Sequence, residues 1–217
     1  MFKVILETEW KWVRLPLLVA TVAAFAIPVL SVQGAGRVGA GGVDPGSLLA
    51  DMTGWAVAYP LLAAGIGLLL GMTAWGPDHR QGHSYALSLP IPRWRYAMLR
   101  LGAGAVLLAM PIVGVAAGSF LAAATATIPV GLTAYPAALA IRFTLAAGLA
   151  YSVFFAISAG SPRTAAYILA GLTALIVANN VFGLVPGVDL VSVILERLYD
   201  WPGPLGIFGG RWMLIDV

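Results

Sequence analysis

The sequence predicts an all-α membrane protein that crosses the bilayer about five times. Three observations lead to this fold class: an apolar composition, long segments without charge, and no alternation of polar and apolar residues within those segments. Hydrophobic residues make up 60% of the 217 residues and charged residues only 10%, whereas soluble domains carry about 25% charged residues. Such a chain cannot cover a water-facing surface, so we expect most of its surface to face lipid.

Five segments contain no Asp, Glu, Lys or Arg. They are residues 15–32, 55–75, 101–128, 143–160 and 164–188, of 18, 21, 28, 18 and 25 residues. Roughly 20 apolar residues cross the bilayer core as a helix, whereas strands of a membrane barrel would alternate over roughly 10 residues. We therefore predict a single transmembrane domain over residues 1–217, with spans at about 15–33, 55–75, 101–125, 138–160 and 164–185.

Two further segments are amphipathic but too polar to cross. Residues 2–14 have one helical face that is apolar apart from Glu9, with Lys3, Lys11 and Arg14 available to anionic lipid. This pattern predicts an N-terminal interfacial helix, with a frayed cytoplasmic tail as the alternative. Residues 189–200 place leucine, valine and isoleucine opposite acidic residues, which predicts a C-terminal amphipathic helix lying along the outer face.

The basic residues predict the orientation. Eight of the twelve lie in segments 1–14, 76–100 and 161–163, while six of the nine acidic residues lie in segments on the other side. Since cytoplasmic segments carry an excess of Lys and Arg, we expect a bacterial inner-membrane protein with a cytoplasmic N-terminus and, after five spans, an external C-terminus.

Residues 76–100 form the most polar and basic stretch of the chain, which we call the elbow. The sequence places a charged turn first, then an apolar segment, then Leu89-Pro90-Ile91-Pro92 before Arg93. Two prolines so close together do not fit inside a helix, so the chain is expected to turn there. The result is an apolar and cationic surface that a soluble partner could bind; an ordinary basic loop is the alternative.

The elbow resembles the segment between spans two and three of type-2 ATP-binding-cassette (ABC) exporter permeases. The resemblance rests on Asp78-His-Arg-Gln-Gly82 followed by Ala86-Leu-Ser-Leu-Pro-Ile-Pro-Arg93. It implies a permease that works with a second permease copy or paralogue and with a separate ATP-binding-cassette ATPase subunit. The resemblance also implies that the elbow couples the permease to its partner. Asp78 is expected to fix the turn by accepting hydrogen bonds from backbone amides. The coupling residues are Asp78, Gly82, Leu87, Leu89, Pro90 and Arg93.

The predicted layout departs from this family in one respect. Family members have six spans per permease, and only five are found here, with the segment 189–200 resembling their short outer helices. The first hypothesis is therefore a permease subunit of an ATP-driven exporter. The second is a non-transporting accessory or structural subunit of a larger membrane complex.

Few residues suggest any other chemistry. Arg142 lies at the edge of a span and is expected to reach the outer lipid head groups, with a partner helix or a wet cavity as the alternative. Asn179 and Asn180 lie within the fifth span and are expected to bond between helices rather than to contact a substrate. No span is expected to bury an acid–base pair, which argues against a proton-coupled carrier. We predict no catalytic residue, metal site, cofactor or nucleic-acid partner, and hence a protein that is not an enzyme and contacts membrane lipids.

Overall fold

The computed structural model describes residues 1–35, 45–80, 92–160, 196–200 and 203–216, together with seven helical residues between 167 and 178. The chain divides into two compact units, Met1–Phe155 with Arg211–Val217, and Ala156–Gly210. The structure is mostly helical, as the composition predicts.

Six helices and two short strands make up the described elements. The helices are α1 (Phe2–Ala35), α2 (Pro45–Ala56), α3 (Ala58–Ala74), α4 (Gly76–Arg80), α5 (Arg93–Thr125) and α6 (Pro136–Ala159). Strands β1 (Thr133–Ala134) and β2 (Ile215–Asp216) pair antiparallel, with Thr133 opposite Asp216 and Ala134 opposite Ile215. This pairing is a small departure from an all-α fold.

Within the described residues, four helical segments are long and apolar enough to cross a membrane. They are Phe2–Gln33, Leu48–Ala74, Arg93–Thr125 and Pro136–Ala159. The chain is therefore a helical protein suited to a membrane, and these segments overlap the first four predicted spans. The fifth predicted span, 164–185, lies outside the described residues except for seven scattered helical positions, and of 189–200 only the last five residues are described, 196–199 being helical.

The first helix differs from the prediction of an interfacial helix followed by a separate span. A single helix runs from Phe2 to Ala35 and passes through Pro16. Proline inside a helix removes one backbone hydrogen bond and costs about 3 kcal/mol. Val13 and Leu17, on either side of Pro16, are completely buried. We attribute the continuity of the helix to this packing, which offsets the missing bond.

The second span is longer than predicted and is interrupted. Helix α2 begins at Pro45, and Val57 separates it from α3. Pro60 explains the interruption, because it has no N–H to donate to the carbonyl of Ala56 and its ring crowds that carbonyl. Helical bonding resumes one residue later, where the Leu61 amide donates to the Val57 carbonyl at 3.4 Å.

The third span begins eight residues earlier than predicted, which shortens the elbow. Pro92 is extended, and the amides of Arg95 and Tyr96 donate to its carbonyl at 3.0 and 3.2 Å, so the helix begins at Arg93. A proline suits this position because its missing N–H would have had no helical partner. Pro92 is not helical and residues 93–100 are helix, while 81–91 of the elbow lie outside the described residues, so the predicted turn at Pro90–Pro92 is described only at Pro92.

Glycines bring the helices close together. A Cβ atom on Gly67 would lie 2.5 Å from the Cβ of Ala150, and one on Gly71 would lie 2.7 Å from the backbone nitrogen of Phe155, so α3 packs directly on α6. Gly114 and Gly118 lie in the same way against the carbonyls of Thr21 and Phe25 on α1. These are the two small-xxx-small pairs of the sequence, and they permit the close backbone approach that helix association in lipid requires.

Large apolar side chains point away from the bundle. Leu15 and Val19 on α1 are each 70% exposed, Leu61 on α3 is 67% exposed and Val113 on α5 is 64% exposed. The buried positions include many alanines and glycines instead, among them Ala24, Ala63, Ala103 and Ala146. A bundle that is apolar on its outside and closely packed inside is suited to a lipid environment.

We expect Gly67→Ala to lower the thermal stability of the purified protein, since the added methyl group meets the backbone of α6. Overpacking of this kind costs about 1–3 kcal/mol. Gly65→Ala is the matched control, because Gly65 lies on the same helix with nothing within 4 Å of an added Cβ. The control should be neutral or slightly stabilising, since alanine favours the helix over glycine by about 1 kcal/mol. Equal melting temperatures for the two variants would contradict this packing.

Candidate functional site

The most polar part of the described bundle is an ion pair between Asp78 on α4 and Arg100 on α5. Arg100 Nη2 lies 3.1 Å from Asp78 Oδ2. Asp78 is 1% exposed and Arg100 is 6% exposed, so the pair is almost entirely removed from solvent. A buried ion pair is stable only when its remaining hydrogen-bonding groups are also satisfied.

Tyr96 provides a hydrogen-bonding partner for both Asp78 and Arg100. It lies one helical turn before Arg100, and its hydroxyl is 3.3 and 3.2 Å from the two carboxylate oxygens of Asp78. The same hydroxyl accepts hydrogen bonds from Arg100 Nε at 2.9 Å and Nη2 at 2.6 Å. Tyr96 therefore bridges the acid and the base.

The end of α3 supplies a further acceptor. Arg100 Nη1 donates to the carbonyl of Ala74, in the last turn of α3. The carbonyls in the last turn of a helix lack intrahelical partners and carry the negative end of the helix dipole, so a guanidinium is well placed there. We refer to Asp78, Tyr96, Arg100 and the Ala74 carbonyl as the polar node.

Aromatic rings enclose the polar node. The Cζ atom of Arg100 lies 5.5 Å from the ring centre of Trp75 and 5.0 Å from that of Tyr96, within the range of cation–π attraction. Trp75 also packs against Phe155 of α6, with ring centres 5.3 Å apart. These rings exclude water, which strengthens the electrostatic interactions of the node.

Helix α6 is joined to the same region through Tyr151. Its hydroxyl donates to the carbonyl of Leu101 on α5 at 3.0 Å. The ring lies directly over Gly104, where any side chain would collide with the hydroxyl and the adjoining ring carbon. Thus α3, α4, α5 and α6 all meet around the polar node.

Helix α1 contributes a second buried carboxylate, Glu9. It is 7% exposed, and its Oε1 atom has no hydrogen-bond partner among the described residues. The indole Nε1 of Trp75 is buried and likewise has no hydrogen-bond partner in the described part of the chain.

The predicted coupling residues fall in three places. Asp78 lies in the polar node, where its partners among the described residues are the side chains of Tyr96 and Arg100, whereas the sequence suggested backbone amides. The carboxylate turns towards Arg100 because α5 already begins at Arg93 and carries the guanidinium to its side. Arg93 itself is exposed at the first position of α5. The other four lie outside the described residues, namely Gly82, Leu87, Leu89 and Pro90.

Arg142 lies near the strand pair and contacts the C-terminal segment. Its Nη1 donates to the carbonyl of Arg211 at 2.6 Å, and its Cζ lies 4.7 Å from the ring centre of Trp212. Trp212 is 1% exposed and stacks on Tyr59, with ring centres 6.3 Å apart. The expectation that Arg142 reaches the outer head groups did not include this contact, because Arg211 lies 69 residues away in sequence. Asn179 and Asn180 lie outside the described residues.

Sequence reasoning missed Arg100, which it counted among the basic residues of the elbow. The pair lies at the end of the bundle, where α5 carries Arg100 beside Asp78 on α4, a helix outside the four apolar segments. Two signals could have found the pair. Tyr96 and Arg100 have the spacing of neighbours on a helix face, and Asp78 is the only acidic residue between positions 52 and 188.

No protein-family model, curated protein or solved structure matches this chain.

We expect Asp78→Asn to destabilise the protein strongly, because the variant removes the carboxylate that pairs with the buried Arg100 guanidinium at 3.1 Å. Removing one partner of a buried ion pair costs about 3–5 kcal/mol. Glu7→Gln is the matched control, since it breaks a 3.9 Å pair with Lys3 in which both side chains are largely exposed, and exposed pairs contribute about 0–1 kcal/mol. Thermal unfolding in one detergent measures both. A loss for Asp78→Asn no larger than for Glu7→Gln would contradict a structural role for the polar node.

Proposed function

We propose that the chain is the permease subunit of an ATP-driven type-2 ABC exporter of a bacterial inner membrane, working with a second permease copy or paralogue. The observation that carries the proposal is the bond between the two ends of the elbow. Asp78 precedes segment 81–91 and Arg100 follows it, and the two side chains form the buried ion pair at 3.1 Å. A force on segment 81–91 would therefore act on a single base, formed by the two helix ends that the ion pair joins.

A coupling element needs such a base. A separate ATPase subunit would move segment 81–91, and the motion reaches the bundle only if the flanking helices follow together. The polar node joins the end of α3 through the Ala74 carbonyl and joins α4 to α5 through the ion pair. Tyr151 then links α5 to α6. Movement of the elbow would therefore shift several spans at once.

The surface at the start of α5 is also consistent with a partner that binds at the elbow. Arg93, Trp94 and Arg95 are consecutive and exposed, Trp94 by 69%. Two guanidinium groups beside an exposed indole suit both the carboxylates of a protein partner and the head-group region of anionic lipid. This surface lies seven residues before Arg100, close to the polar node along the helix.

The strand pair supports a fifth crossing and a C-terminus on the outer side. Strand β2 near the C-terminus pairs with β1, which immediately precedes α6. If α6 spans the bilayer, its end at Ala159 lies on the opposite side from β1. The chain must then cross again between residues 160 and 211 to reach β1, where the sequence predicts the span 164–185.

We expect single cysteines to report this orientation in intact cells, because the native chain has no cysteine. Val130→Cys, at a fully exposed residue between α5 and β1, should react with an impermeant maleimide. Trp94→Cys, also exposed, should react only after the membrane is permeabilised. Labelling of Trp94→Cys alone in intact cells would reverse the orientation, and labelling of both would show that α5 does not cross.

A second candidate function is that of an accessory subunit in a larger membrane complex. It is favoured by the segment 203–216, which forms turns followed by strand β2. The resemblance places a sixth span in this part of a permease. A chain whose C-terminal segment closes onto the bundle would suit a structural role.

The two candidates differ in whether an ATPase binds the elbow. We expect an ATP-binding-cassette ATPase to co-purify with the wild type and to be lost from Leu89→Asp, since an unpaired charge buried at the contact costs several kcal/mol and each 1.4 kcal/mol is about tenfold in affinity. Val130→Asp is the matched control, because it places the same charge at an exposed apolar residue beyond the other end of α5. It should retain the ATPase. If no ATPase co-purifies with the wild type, the accessory function replaces the exporter.

A further inference from the structure

Glu9 occupies an unusual position on α1. Ile5, Val13 and Leu17 lie four residues before, four after and eight after it, and all three are buried, with exposures of 8%, 1% and 0%. Positions four apart share one helix face. Glu9 is thus the one carboxyl group on the face by which this part of α1 enters the bundle.

Arg100 forms no ion pair with this carboxylate among the described contacts. All three of its nitrogens already donate elsewhere: Nε to Tyr96, Nη1 to the Ala74 carbonyl, and Nη2 to Tyr96 and Asp78. The guanidinium acts on Glu9 only as a charge at longer range, and Tyr151 is the other titratable group close enough to interact with it. From the described elements around Glu9, α5 therefore contributes Arg100, α6 contributes Tyr151, and α4 contributes Asp78 as a partner of Arg100.

The charges of this region do not balance. Among the described residues, the buried charged side chains are two carboxylates, Glu9 and Asp78, and one guanidinium, Arg100. Two carboxylates that share one cation are not both stable in a water-poor site, because an ionised carboxylate without a partner is very costly to bury. Among the described side chains one positive charge is lacking, and a proton is the smallest that fits a closely packed bundle.

We propose that Glu9 is a proton-binding site, whose carboxylate takes up one proton from water and is neutral in the folded protein beside the Asp78–Arg100 pair. The proton forms an O–H bond on the Glu9 carboxyl group and leaves the ion pair intact. Loss of this proton would present Arg100 with a second carboxylate, in competition with Asp78. The proton would therefore favour the pairing that holds the two ends of the elbow together. This inference does not depend on the exporter function.

The direct test is infrared spectroscopy of the full-length protein in lipid nanodiscs at neutral pH. We expect a carbonyl stretching band of a protonated carboxyl group in the wild type, which shifts in heavy water and is absent from Glu9→Gln. Glu7→Gln is the matched control, because Glu7 lies two residues away on the same helix but is exposed and pairs with Lys3. It should retain the band. A wild-type spectrum without the band, or a band that persists in Glu9→Gln, would overturn the proposal.

Thermal unfolding provides a second readout. An ordinary Glu side chain ionises near pH 4.3, so the unfolded chain has released at neutral pH the proton that folded Glu9 retains. Raising the pH then favours unfolding. Between about pH 5 and about pH 8, the melting temperatures of the wild type and of Glu7→Gln should fall by several degrees more than that of Glu9→Gln. Equal falls in all three would also overturn the proposal, and a wild-type spectrum without the band overturns it even if Glu9→Gln does not fold.

Discussion

An arginine and an aspartate enclosed by apolar helices are stable only when each satisfies the other and every remaining polar atom has a partner. The Asp78–Arg100 pair meets this condition through the Tyr96 hydroxyl and the Ala74 carbonyl. Because these partners belong to α3, α4 and α5, the pair requires the end of α3 and the start of α5 to lie side by side. The arrangement of the bundle at this end therefore depends on one electrostatic interaction.

Close helix packing makes that interaction possible. Backbone contact at Gly67 and Gly71 brings α6 against α3, and the missing side chain at Gly104 lets the Tyr151 ring lie on α5. Phe155 then reaches Trp75, whose ring faces the Arg100 guanidinium. Larger residues at these glycines would separate the helices and admit water to the ion pair. The apolar packing and the polar node thus stabilise each other.

The strand-pair region is held by different interactions. Here the strand pair β1–β2 and the amide of Tyr135, which donates to the Leu214 carbonyl at 2.8 Å, provide backbone bonds. Trp212 fills the space between Tyr59 and Arg142. Residues 211–216 are not continuous in sequence with α3 or α6, whose Tyr59 and Arg142 contact Trp212, and they close the surface near β1. A charged node at the base of the elbow and an aromatic closure near β1 give the bundle two regions with different chemistry.

The sequence by itself determined the class of protein and the positions of four spans, because a bilayer demands long uncharged helices and 18 or more such residues are visible without any structure. It also pointed to Asp78, through the resemblance of the elbow. It could not identify the partners of Asp78. Basic residues after Pro92 have the pattern of a cytoplasmic loop, whereas the structure begins α5 at Arg93 and so carries Arg100 about two turns into the bundle. Glu9, similarly, belongs to an amphipathic pattern that fits the surface of a membrane as well as the interior of a bundle. Only tertiary packing decided between water and protein as the surroundings of these charges, since burial depends on helices that are distant in sequence.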